Sequence, residues 1–298
     1  MIRFLAKVAV QRLMGVIPFG RALYQRQQTR AVLAASDLMP NVDSKHGVAL
    51  HHLELMRDAA GVRASDVAAH LEIGTGWLPV IPLTFRRHGM GHQVLTDITR
   101  LLCHDKVAEI ARRLAMIDGD AVRPDAGLAA AGGVDPLAAE DMVYHAPAHA
   151  PFPVASGAFD LVTCTQVLIY PPPPVVRAIH EEAARCLRPG GLYLATIRLD
   201  DLYALSDPKL SRFNFLRYSS ATWARWFDNP FTPLNRLRPS DHARLLEGLP
   251  FERLAWRVQG GGPKELEQLA RIRPHAAFAH LPVSELAATN LTFLLRRV

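Results

Sequence analysis

The chain is poor in cysteine, has no internal repeat and lacks any long apolar run. Its three cysteines, Cys103, Cys164 and Cys186, show no CxxC spacing and form no even set. A disulfide framework and a cysteine-based zinc site are therefore not expected, and a reducing cytoplasm fits. No stretch of 18 or more apolar residues occurs, so no membrane-spanning helix is expected. Acids are missing from the start of the chain. None precedes Asp37, whereas Arg3, Lys7, Arg12, Arg21, Arg26 and Arg30 all fall before it. Such one-signed charge holds a chain near an anionic membrane or a nucleic acid, or is simply the solvated face of a helix. The basic residues are not interleaved with aromatics, which argues against a base-stacking groove. They also interrupt the apolar stretch, and no small-residue cleavage site follows, so a secretory signal is not expected.

What is present is the composition of a globular protein: 298 residues, 49% hydrophobic and 21% charged, with a net charge of +6. Residues 1–36 read as one or two helices punctuated by Pro18-Phe19-Gly20, and residues 44–60 as another. Beyond them strands and helices alternate. Strands are expected at 65–73, 93–97, 142–145, 159–164 and 192–197, with helices at 78–88, 100–116 and 175–186 between them. Residues 118–140, rich in Ala, Gly, Asp and Pro, read as a loop or insertion. Leu187-Arg188-Pro189-Gly190-Gly191 reads as a helix stop and chain reversal. The alternation predicts a doubly wound α/β fold with a largely parallel sheet. Residues 199–245 break the rhythm and are aromatic-rich; they read as a helical cap over the carboxyl edge of the sheet. Two further strands are expected at 251–258 and 289–296.

The richest segment is His70-Leu71-Glu72-Ile73-Gly74-Thr75-Gly76-Trp77-Leu78-Pro79. A strand ends around an acid, a glycine turn follows, and a helix comes next. The next strand, Gln93-Val94-Leu95-Thr96, runs into a second acid, Asp97. Two acids at the carboxyl ends of adjacent strands around a glycine turn describe a nucleoside-binding crevice. The dinucleotide fingerprint G-x-G-x-x-G wants a third glycine where Pro79 stands, and Glu72 would repel a pyrophosphate. S-adenosylmethionine carries a sulfonium and an ammonium and no phosphate, so the same acid attracts it. Asp97 can accept from both ribose hydroxyls.

These segments resemble class I S-adenosylmethionine-dependent methyltransferases. Glu72 to Gly76 is similar to that family's first motif and Asp97 to its ribose-binding acid. The run from Pro151 to Val162 resembles the lead into the fourth strand, and Leu187 to Leu194 the turn into the fifth. The resemblance covers residues 65–200 and implies a mostly parallel seven-stranded sheet, closed by an antiparallel pair from the two last strands. It implies a methyltransferase domain over 63–298, preceded by a helical segment at 1–62. It also implies that Glu72 with Gly74, Thr75 and Gly76 holds the methionine part. Asp97 would take the ribose, Ile98 would lie on adenine, and Ala146 and His149 would meet the adenine edge. Gln166 and Val167 would sit beside the sulfonium. The sequence departs from the family at Leu78, in place of a third glycine, at His149, in place of a loop acid, and at Tyr170-Pro171 after the fourth strand.

The implied reaction is methyl transfer to a small or medium-sized acceptor, which needs no side-chain nucleophile. The alternative is a non-catalytic methyltransferase-like subunit acting with a protein partner. Tyr170 and His242 are the candidate bases; packing roles are the competing readings for both, with Ser240-Asp241 as a helix cap. Asn235-Arg236-Leu237-Arg238 reads either as an anion site or as a tie between cap and core. His46, His51 and His52 lack partners at a recognised metal spacing and read as a helix face. A lipid-linked acceptor, reached through peripheral membrane contact by residues 1–30, is a further expectation.

Overall fold

A computed structural model describes every residue except 1, 120–134, 206, 208 and 232. Most of the expected insertion at 118–140 lies outside the described residues. The chain opens with helices α1 (Ile2–Val16), α2 (Gly20–Val32) and α3 (Ala35–Ala60). There follow β1 (Ala69–Ile73), α4 (Val80–Arg87), β2 (His92–Thr96), α5 (Val107–Asp118), α6 (Pro136–Ala139), β3 (Met142–His145) and β4 (Phe159–Thr165). Then come α7 (Pro173–Cys186), β5 (Leu187–Arg198), α8 (Ser220–Trp226), α9 (Pro239–Leu246), β6 (Phe251–Gly260), α10 (Pro263–Ala270), α11 (Val283–Leu286) and β7 (Ala288–Arg297).

The seven strands form one sheet in the order β3-β2-β1-β4-β5-β7-β6. All pairs from β3 to β5 are parallel, and β7 runs antiparallel to both β5 and β6. This is the expected doubly wound sheet. The chain runs outward from β1 to β3 and returns to β4, so the strand order reverses between β1 and β4. The loops at the carboxyl ends of those two strands therefore diverge and leave a crevice.

Period-two burial explains how each strand serves two faces. Tyr193, Ala195 and Ile197 of β5 pack with Val162 and Cys164 of β4 and with Val176, Ile179 and Ala183 of α7. Leu192 and Leu194 point the other way, with Leu161, Leu294, Phe85 of α4 and Leu55 and Met56 of α3. The amino-terminal helix α3 is thus part of the sheet's own core. A third cluster joins Leu83 and Val80 of α4 to Val107, Ile110 and Leu114 of α5 and Met142 of β3.

Polar residues also run through the middle of the sheet. His70 on β1 meets Gln93 of β2 at 2.8 Å and Thr163 of β4 at 2.7 Å. Gln93 donates onward to the carbonyl of Pro82 at 2.8 Å. Burial pulls the His70 imidazole down to about 4, so it is neutral at physiological pH and both ring nitrogens are satisfied. A neutral, fully bonded histidine is tolerated where a charged one is not.

Three expectations change. The Leu187–Gly191 turn is the first part of β5, with Gly190 at φ 81° and a register shift against β4 between Phe159 and Leu161. The 3-10 turn at Ala64–Asp66 takes the front of the first expected strand. The cap is less helical than its aromatic content suggested: the described residues between α8 and α9 form turns and irregular chain, with Arg236 at φ 61°. It is held by ties that have no sequence period. Arg238 is fully buried. It donates to the carbonyls of Leu199 at 2.7 Å, Glu285 at 2.6 Å and Ala288 at 2.6 Å. Asn235 donates to Leu168 and Pro171, and Arg236 to Phe215 and Tyr218. The Asn235–Arg238 run therefore fixes the cap and is not open to an anion. Arg238 also stands at the amino-terminal cap position of α9, where Asp241 accepts from its backbone N–H at 2.9 Å, so Ser240 is already inside the helix.

Replacing Arg238 with Met should strand several buried carbonyls. We expect a loss of about 3 kcal/mol in denaturant-induced unfolding. A loss below about 1 kcal/mol would show that the cap is held elsewhere.

Candidate functional site

The site begins where β1 ends. Gly74 and Thr75 both donate their backbone N–H to the carbonyl of Thr96, at 2.8 and 3.1 Å, which folds the turn back over β2. Gly74 sits at φ 81° and Gly76 at φ 72°. A Cβ on Gly74 would collide with the side chain of Val167, which follows β4. Glycine is thus required at Gly74 on two counts: the backbone conformation, and the approach of the β1 and β4 loops across the crevice.

Asp97 holds this turn from the next strand. Its carboxylate accepts from the Gly76 N–H at 2.8 Å and from the Thr99 N–H at 3.2 Å. Its own backbone carbonyl accepts from Ala148 at 2.8 Å, bringing the adenine-edge loop alongside. Arg100 fastens that loop by donating to the carbonyl of Ala146 at 2.9 Å. Burial raises the Asp97 carboxyl above its ordinary value, against the pull of these backbone donors.

Glu72 lies on β1 facing the same crevice and is only 3% exposed. Its Oε2 is buried without a hydrogen-bond partner. Burial pushes its carboxyl up to about 7, opposed first by the neighbouring Thr75 hydroxyl and then by the charge of Lys45. Lys45 reaches in from α3 and donates to the carbonyl of Leu78 at 3.4 Å. Burial lowers its ammonium in turn, with the Glu72 charge acting the other way. An acid and a base thus stand beside the glycine turn, and burial disfavours the charged form of each. A ligand with a cationic end would complete Glu72, and one with a carboxylate would suit Lys45. S-adenosylmethionine carries both, so the donor set fits it.

The remaining predicted positions fall into three groups. Ile98 is 65% exposed just past Asp97, an open apolar side chain suited to one face of a base. Ala146 is buried in the loop after β3, and His149 is exposed on it. Val167 packs on Gly74, whereas the Gln166 side chain turns away and accepts from the backbone of Arg198 at 2.7 Å. Gln166 itself adopts φ 61°, with its N–H bonded to Thr196 at 2.7 Å, so it braces β4 against β5.

The candidate bases separate. Tyr170 is 43% exposed and follows β4 on the crevice side. Burial of its inner part raises the phenol still further above 10, so it remains protonated near neutral pH and serves as a hydrogen-bond donor. His242 is fully buried on α9. Burial brings its imidazole down to about 4, and its charge would act on His180, which itself bonds the Tyr193 hydroxyl at 3.1 Å. A buried histidine behind α7 meets no substrate, so His242 is withdrawn as a base.

Sequence reasoning passed over Lys45 and the reach of α2. Lys45 sits in a helix far along the chain from the glycine turn, and its spacing carries no signal. Thr29 of α2 accepts from the Trp77 indole N–H at 3.0 Å, and Tyr24 packs on Phe231 of the cap with ring centroids 4.3 Å apart. The α1–α2 hairpin therefore bridges the glycine turn and the cap. The histidines of α3 are used in packing: His46 meets Thr84 at 3.1 Å and His52 meets Thr196 at 2.9 Å.

Comparison with known proteins matches part of the chain. A family model described as a methyltransferase domain matches residues 124–195. No curated protein sequence matches the chain. Among solved structures, the chain is similar to geranyl diphosphate C-methyltransferase from Streptomyces coelicolor, crystallised with Mg2+, geranyl diphosphate and S-adenosyl-L-homocysteine. That likeness has a TM-score of 0.48 and 14% identity, over 89% of this chain and 86% of that one. It is similar also to an S-adenosylmethionine-dependent methyltransferase from Methanosarcina mazei, with a TM-score of 0.43 and 15% identity, over 77% and 92%. Residues 124–195 thus match a methyltransferase-domain model, and the strand order is that of a doubly wound α/β sheet.

The Glu72 carboxyl gives a pH signature. Its folded value, about 7, lies above the ordinary value of 4.5. The native state therefore holds this proton more tightly than the unfolded chain. The stabilisation from it is complete below about pH 4.5 and is lost as pH rises through 7. Glu72→Gln should remove that slope. The variant should gain about 3 kcal/mol relative to the parent between pH 4.5 and 8 in ligand-free unfolding. Parallel pH profiles would show that Glu72 titrates normally.

Proposed function

We propose that the chain binds S-adenosylmethionine across the β1–β4 switch point and transfers its methyl group to a small or medium-sized acceptor. The acceptor would enter between the α1–α2 hairpin and the 199–245 cap. The observation that carries this reading is the unpartnered oxygen of Glu72, buried next to a glycine turn that Asp97 holds from the adjacent strand.

The cofactor supplies an already activated methyl group on a sulfonium. The chain then has to bind, orient and exclude water. Glu72 would take the cationic amino-acid end and Lys45 the carboxylate. Thr75, with the backbone of Gly74 and Gly76, would line the methionine part. Asp97 would accept from the ribose hydroxyls while keeping its bond to Gly76. Ile98 would cover the adenine, with Ala146 and His149 at its edge. Val167 would sit beside the sulfur, and Gln166 would position Val167 by bracing the strand end.

Tyr170 is the polar side chain best placed to meet an acceptor. As a protonated phenol it would orient an acceptor oxygen or nitrogen by donating a hydrogen bond. Removal of a proton from the acceptor would fall to solvent or to the acceptor's own chemistry. The buried aromatics Phe213, Phe215 and Trp223 make up the cap's interior and are not a substrate cage.

Calorimetry with S-adenosylhomocysteine tests the cofactor half. Asp97→Asn should weaken binding about ten- to a hundredfold while keeping an oxygen for the turn. Lys45→Met should weaken it about tenfold. Unchanged affinity in both variants would contradict the assignments. A screen with labelled methyl donor tests the transfer half. There Tyr170→Phe should lower kcat at least about tenfold with cofactor affinity preserved. Failure of the folded protein to bind cofactor would instead favour the alternative of a non-catalytic subunit with a protein partner.

A further inference from the structure

The tip of the α1–α2 hairpin points its apolar side chains outward. On α1, Val8 and Gln11 are buried against the cap, whereas Val10, Leu13 and Val16 are 51, 58 and 79% exposed. Ile17 and Phe19 continue the open surface through the turn, Phe19 at 87% exposed with φ 64°. An apolar surface of this kind on a globular protein marks a contact surface. Leu23 of α2 extends it at 57% exposed, four positions after Phe19.

Charge continues the same stripe. Arg26 and Arg30 follow Leu23 at three and seven positions, which places them on its face of α2, and both are exposed. Arg12 is exposed on α1, beside the cap's Asp228, whose carboxyl feels its charge. No acid occurs in the sequence before Asp37. Among the described residues no helix is long and apolar enough to cross a membrane. An apolar tip backed by an all-basic stripe matches a surface that is oily inside and anionic outside.

We infer that the α1–α2 hairpin docks on an anionic lipid bilayer, with Leu13, Val16, Ile17 and Phe19 in the acyl boundary and Arg26 and Arg30 at the headgroups. The hairpin lies in the interface plane and does not span it. A second copy of the chain fits the face less well, because it would bring the arginine stripes of two hairpins close together with no acid on either to pair them. The same hairpin touches the cofactor turn through Thr29 and Trp77 and the cap through Tyr24 and Phe231. Docking would therefore hold the acceptor opening at the membrane surface. The inference stands on the hairpin's exposed side chains and does not depend on the proposed methyl transfer.

Sedimentation of the full-length protein with vesicles tests it. Phosphatidylcholine vesicles alone should retain little protein. Vesicles containing about a third phosphatidylglycerol should retain most of it at low salt and much less at 0.5 M salt. The Leu13→Gln/Phe19→Ser double variant and the Arg26→Gln/Arg30→Gln double variant should each lower partition at least about tenfold. Circular dichroism and cofactor calorimetry confirm that these surface variants remain folded. Absence of binding to anionic vesicles, or binding that neither variant reduces, overturns the inference. So does a solution dimer, seen by light scattering, that the Leu13→Gln/Phe19→Ser variant converts to monomer.

Discussion

Burying a carboxyl group with one oxygen unpartnered costs free energy, and the crevice is arranged around that cost. Glu72 could be silenced by pairing it fully with Lys45 or by opening the turn to water. Instead the glycine turn folds over it, Val167 closes in from β4, and Lys45 stays close enough to feel its charge. Such an unresolved polar site is tolerated when something else completes it. A cationic ligand would do so, and its binding free energy would then include relief of the buried acid.

The rest of the structure keeps that corner rigid. The Gln93–His70–Thr163 chain locks three adjacent strands in register just beneath it. Asp97 joins the turn, the next loop and the strand end in one set of hydrogen bonds. Gln166 braces β4 against β5. Arg238 anchors the cap to the carbonyls near β7 and the end of β5. These bonds brace the strand ends around the crevice, and the cap is tied to the sheet beside it.

Much of this was legible in the sequence, because it depended on local signals. Period-two and helical patterning located the strands and helices, and glycines between acids located the switch-point crevice. The cap was not legible. Its aromatics suggested helices, but its shape is set by arginine and asparagine side chains reaching backbone carbonyls far away in sequence, which leaves no periodic trace. His242 looked like a candidate base because a sequence does not reveal burial, and the buried imidazole proved to be part of the packing behind α7. Gln166 was expected beside the sulfonium with Val167; its left-handed backbone directs its side chain to the Arg198 N–H, a tie with no sequence signal. Lys45 was invisible for a related reason: a helix assigned to packing contributes one long side chain to a site assembled from other elements.

The most direct measurement is the number of protons released when S-adenosylhomocysteine binds, from calorimetry at pH 6.5 in buffers of different ionisation enthalpy. With its carboxyl near 7, Glu72 would be largely protonated in the ligand-free protein and, on the proposed role, would ionise to meet the ligand's cationic end. The account predicts release of about half a proton or more, abolished in Glu72→Gln. Tight binding with no proton release in the parent protein would contradict the central role given to Glu72.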